Sequence, residues 1–107
     1  MQIYEKESLQ KIRQLLTDYL PQNFVSLYAF GSRVRGDFGE WSDFDILVIE
    51  KDKAPSIEAK VIDIFVEEEM QSGVSFSPVI KDLKAFEKEK NFHTPFYEAI
   101  EREGVLV

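Results

Sequence analysis

Seven residues, "FDILVIE" at 44–50, constrain this chain more than any other segment. From Ile46 to Ile49 no polar residue interrupts the run, so a strand here carries apolar side chains on both faces. A strand of that kind needs cover on both sides, which requires a core of some size. The 107 residues fit one domain, residues 1–107, and folding a chain of this length removes about 65% of its extended surface from water. At 44% hydrophobic and 13% aromatic the composition can fill such a core.

The flanking segments supply the other layers. Residues 5–20 place Leu9, Ile12, Leu16 and Tyr19 at helical spacing, and Pro21 ends that helix. "FVSLYAF" (24–30) alternates and is aromatic and β-branched, which predicts a strand. A loop follows at 31–42, with three glycines. Residues 54–73 admit two readings. As a helix they line Ala54, Ile57, Val61, Ile64 and Phe65 on one face and turn Asp63 to water. As a strand, "VIDIFV" would point Val61, Asp63 and Phe65 together. Length and the closing Gly73 favour the helix. "VSFSPVI" (74–80) predicts a third strand, with Pro78 confining it to an edge or a strand end. Helical segments are expected at 82–90 and 94–103, the last closed by Gly104. The expected class is α/β (α+β), in a single unit.

Several function classes drop out. There are no cysteines, hence no disulfides, thiolate zinc sites or cysteine nucleophiles. No apolar stretch approaches the roughly 18 residues that span a bilayer, and the charged start "MQIYEKESLQ" is unlike a signal peptide. The expected setting is cytoplasmic, without a membrane. A net charge of −7 argues against general nucleic-acid binding. An anion site must be local. The single histidine, His93, has nothing to build a triad from, and Trp41 is expected as an apolar lid over the loop.

The local chemistry sits between the two central strands. Asp43 and Asp45 flank Phe44, so in a strand both carboxylates share one face. Adjacent carboxylates repel unless a proton or cation intervenes, and Mg²⁺ typically takes one or two of them plus substrate phosphates. Separated from this pair by ten residues, Gly31 and Ser32 stand at the end of the first strand, where Gly31 allows a tight turn and Ser32 adds a hydroxyl. Arg33 and Arg35 bring positive charge that the acidic whole lacks. A carboxylate pair beside a phosphate-gripping turn is equipment for phosphoryl or nucleotidyl transfer.

Gly31-Ser32, ten residues, then Asp43-Phe44-Asp45 resembles the signature of the DNA polymerase β-like nucleotidyltransferase superfamily. The length, "GSRVRGD", "GVSFSPVI" and "TPFYEAIEREGV" resemble its minimal nucleotidyltransferase (MNT) members. The resemblance implies a small mixed β-sheet flanked by helices, a polymerase β-like palm. It implies Mg²⁺ (or Mn²⁺) at Asp43 and Asp45, with ATP or another nucleoside triphosphate held by Gly31, Ser32 and Arg33. It also implies an antitoxin-type role, with AMP moved onto a hydroxyl of a HEPN-domain partner protein. Where fuller members carry a third acid, the third strand offers Ser75 and Ser77. Asp63 could take that role only as part of a strand, and Asp82 lies beyond the third strand. The alternative is therefore an inactive or weak module that neutralises its partner by contact. A sugar transferase using Asp-X-Asp for metal needs a longer chain. An oligomer is compatible with so small a palm.

Overall fold

The computed structural model describes residues 1–36 and 42–107. Its elements are α1 (Ile3–Tyr19), β1 (Phe24–Phe30), α2 (Ser32–Arg35), β2 (Phe44–Glu50), α3 (Pro55–Ser72), β3 (Phe76–Asp82), α4 (Leu83–Phe92), α5 (Pro95–Glu103) and β4 (Val105–Leu106). The four strands form one mixed sheet in the order β3-β2-β1-β4. β1 runs antiparallel to β2 and β4, while β2 and β3 are parallel.

β2 lies inside the sheet and is buried on both faces, as its unbroken apolar run requires. Phe44, Ile46 and Val48 face one layer, where Leu9, Ile12 and Leu16 of α1 meet Val61, Ile64 and Phe65 of α3. Leu47 and Ile49 face the other, with Ile100 of α5 and flanking Leu83, Phe86 and Phe96. Two thin cores thus grip one strand from opposite sides. By the same alternation Glu50 falls on the face of Ile46 and Val48. It is fully buried, and neither carboxylate oxygen has a hydrogen-bond partner among the described residues. Burial pushes its pKa up to about 7.

The segment 54–73 is a helix, ended by Gly73 in the left-handed region at φ 78°. Strand formation across 61–66 is excluded, because Val61, Ile64 and Phe65 are all buried at helical spacing. Other boundaries move. α1 begins two residues earlier than expected because Glu5 Oε1 accepts the Gln2 backbone N–H at 2.7 Å, satisfying a first-turn donor. The third strand runs from Phe76 to Asp82 instead of 74–80, since its parallel pairing with β2 extends to Glu50↔Asp82. β3 is an edge strand, as Pro78 requires. Asp82 then caps α4 by accepting the Ala85 N–H at 2.7 Å. The expected loop 31–42 contains the single turn α2, and Gly104 precedes a two-residue strand, β4, paired to Tyr28 and Ala29. No helix among the described residues is long and apolar enough to cross a membrane.

Candidate active site

The register of β1 against β2 sets Phe30 opposite Asp45, so the chain leaves β1 at Gly31 directly beside the Asp45 side chain. Gly31 has φ 81° and ψ −164°, a conformation essentially reserved for glycine. Its missing side chain is required for a second reason. A Cβ there would lie 2.2 Å from Asp45 Oδ2 and 3.0 Å from its Cγ. The carboxylate of one strand thus rests on bare backbone of its neighbour. α2 starts immediately afterwards, with Ser32 as its first residue.

Asp45 is half-buried and Asp43 exposed. Burial, then the charge of Asp43, push the Asp45 carboxyl above its ordinary value. Arg35 pulls the other way, and Glu103 adds to the rise. The Asp43 charge is thus felt at the Asp45 carboxyl. Asp43 precedes the first residue of β2 and accepts a 2.7 Å hydrogen bond from Ser75 Oγ. Ser77 is the β3 neighbour of Asp45. On β3 and just before it, where a third acid could stand, the fold has the hydroxyls of Ser77 and Ser75.

Asp63 and Asp82 are not brought to the pair. Asp63 is exposed on α3 and lines a groove against α1 with Lys11 and Lys60. Asp82 lies at the far end of β3, opposite Glu50, five strand residues from Ser77 and so roughly 17 Å away. Among the described residues no group of three or more His, Cys, Asp or Glu side chains gathers as a metal cage. The donor set suits a hard cation that draws its remaining ligands from water and phosphate oxygens, which is how Mg²⁺ is usually held.

Arg33 is deeply engaged. Its guanidinium pairs with the buried Glu5 of α1, donates to the Ser42 carbonyl at 3.0 Å and lies 4.8 Å from the Phe44 ring centre. Arg35 pairs with Glu103 of α5 at 2.9 Å. Glu103 was not among the expected site residues. It comes from 58 positions beyond Asp45 in sequence, and only the tertiary packing of α5 brings its charge there. His93 caps α4 and contacts Glu98 at 2.8 Å on the surface, away from the aspartates. Trp41 lies outside the described residues. A cleft of about 350 Å³ opens beside Asp43, walled by Tyr4, Arg33, Ser42, Val74 and Ser75.

Residues 6–107 match the nucleotidyltransferase domain family. Over its full length the chain is 32% identical to a candidate protein adenylyltransferase of Methanocaldococcus jannaschii, also matched over its full length. A candidate minimal nucleotidyltransferase of solved structure shares the fold at TM-score 0.60 and 21% identity, over 97% of this chain and 95% of that one. The spectinomycin adenyltransferase AAD(9) of Enterococcus faecialis, solved with ATP and spectinomycin, aligns at TM-score 0.55 and 19% identity over 74% of this chain. This chain spans only 34% of that enzyme. By its sequence match, and with a fold in agreement, the chain belongs to the nucleotidyltransferase domain family.

Proposed function

We propose that this chain is a metal-dependent adenylyltransferase, moving AMP from ATP onto a hydroxyl of a partner protein. The observation that carries the reading is the Asp45 carboxylate laid against Gly31, with Asp43 adjoining. It supports the reading because the residues proposed to hold the cation and those proposed to hold the phosphates are in contact. Asp43 and Asp45 would hold Mg²⁺ or Mn²⁺, and Gly31 and Ser32 the triphosphate, with Arg33 fixing the turn from behind. A bound divalent ion supplies charge neutralisation at the phosphates and a more acidic attacking hydroxyl. The acceptor hydroxyl gives up its proton to solvent as its oxygen forms a bond to the α-phosphorus, the α–β anhydride bond breaks, and pyrophosphate leaves. The chain's own part is to hold the triphosphate turn still and to bring the acceptor in along the cleft.

The name of the Methanocaldococcus jannaschii relative supports a protein acceptor. We assign that acceptor to a HEPN-domain partner in a toxin–antitoxin pair, acting in the cytoplasm, with residues 1–107 as one catalytic unit. A second reading, a binding antitoxin with weak or no turnover, is favoured by Ser75 and Ser77 standing beside the aspartates. The test is incubation with α-labelled ATP, Mg²⁺ and the protein encoded by the adjacent gene. Label should move to that protein and vanish in Asp43→Asn/Asp45→Asn. Tight partner binding without label transfer, unaffected by the double substitution, would establish the second reading instead.

A further inference from the structure

Helix α3 is apolar on two sides, and the fold uses only one. Val61, Ile64 and Phe65 enter the core. Ile62, Val66 and Met70 recur every four residues on another side and are 43%, 49% and 83% exposed, with Pro55 and Ala59 exposed on the same stripe. The stripe spans four turns, about 22 Å. Its direction follows from its neighbours. Glu68 accepts from Ser8 of α1 and Gln71 from Lys11, so α1 occupies the opposite side. Glu69 accepts the Phe76 N–H, which pins α3 above the outer strand β3. The stripe therefore faces outward along the open edge of the sheet.

Acids border it on both sides: Glu58 and Glu69 along one, Asp63 and Glu67 along the other. Of the nearby lysines, Lys53 offsets the bordering Glu58 at 3.9 Å and Lys60 lies over the Tyr19 ring, so the rim keeps an excess of acids. A second copy laid stripe to stripe would set acids against acids, which costs affinity. A contiguous exposed apolar stripe with a charged rim is the usual form of a helix-docking surface.

We infer that the Ile62–Val66–Met70 face of α3 docks an amphipathic helix of a partner protein whose apolar stripe is flanked by Lys or Arg. The Met70 end leads through Gly73 into Val74 and Ser75, which wall the cleft beside Asp43. A partner seated here ends next to the proposed reaction centre. That last placement rests on the transfer reading, whereas the docking itself does not.

The test uses labelled synthetic helices of about 20 residues, read by fluorescence anisotropy against the full chain. One carries a leucine stripe with lysine flanks, one the same stripe with glutamate flanks, and one the lysine composition in scrambled order. The lysine-flanked helix should bind, should weaken with added salt, and should lose at least about tenfold affinity in Val66→Glu and Met70→Glu, or roughly 1.4 kcal/mol. Both sites are exposed, and circular dichroism checks that each variant folds. Binding should persist in Asp43→Asn/Asp45→Asn, which separates docking from catalysis. Equal binding of the glutamate-flanked or scrambled helix, no binding at all, or affinity unchanged in both variants overturns the proposal. So does a wild-type dimer that Val66→Glu converts to monomer.

Discussion

Replacing Glu50 by Gln should change how stability depends on pH. The wild-type carboxyl is fully buried and without a hydrogen-bond partner among the described residues, and burial raises its pKa from 4.5 to about 7. An acid with a raised folded-state pKa holds its proton more tightly when folded. Its stabilising contribution is complete below the unfolded value and is lost as pH climbs through the folded one. With those two values and about 1.36 kcal/mol per unit, the wild-type chain should lose about 2.5 kcal/mol between pH 5 and pH 8 through this residue. Gln keeps the shape and cannot ionise, so that part of the slope should disappear. Urea unfolding of both proteins at the two pH values measures it as a difference of differences, in which the other acids cancel. Agreement of the two slopes to within about 0.5 kcal/mol, near the extrapolation error, would show that Glu50 is solvated or paired in the folded protein. The reasoning from burial would then fail.

Gly31→Ala should abolish Mg²⁺-dependent ATP binding by calorimetry, because the new Cβ lies 2.2 Å from Asp45 Oδ2; the unfavourable φ should also cost roughly 1–3 kcal/mol in denaturant unfolding. Glu5→Ala removes the buried acid that pairs with Arg33 and should destabilise by about 3 kcal/mol, with a matching fall in thermal midpoint. Asp63→Ala, exposed on α3, should leave labelled-AMP transfer within about twofold of wild type; loss of metal binding in that variant would place the cation elsewhere.

What the sequence made legible was whatever depends on period and length. Four uninterrupted apolar residues from Ile46 to Ile49 were enough to demand a doubly covered strand. Gly73 and the length of the 54–73 span decided between helix and strand for α3. α2 and β4 were invisible because four and two residues hold barely one period each, too few to show a repeat. β4 exists only through its pairing with Tyr28 and Ala29. At the candidate site, the motif spacing marked Gly31, Ser32, Asp43 and Asp45. The contact that explains the glycine required the β1–β2 register. Arg33 read as a positive charge for phosphate, but its pairing with Glu5 spans 28 residues and depends on α1 packing over the sheet. Glu103 near Asp45 had no local signal at all.

The Glu5–Arg33 pair has an evolutionary corollary. The family match begins at residue 6, one position after the acid that braces the glycine–serine bend. Two residues so joined should drift together across relatives. Homologues that abandon the arginine should also abandon the acid, and a swap of the two charges should restore what either single reversal breaks. An alignment deep enough to show positions 5 and 33 varying independently would mean that the bend keeps its shape without this brace.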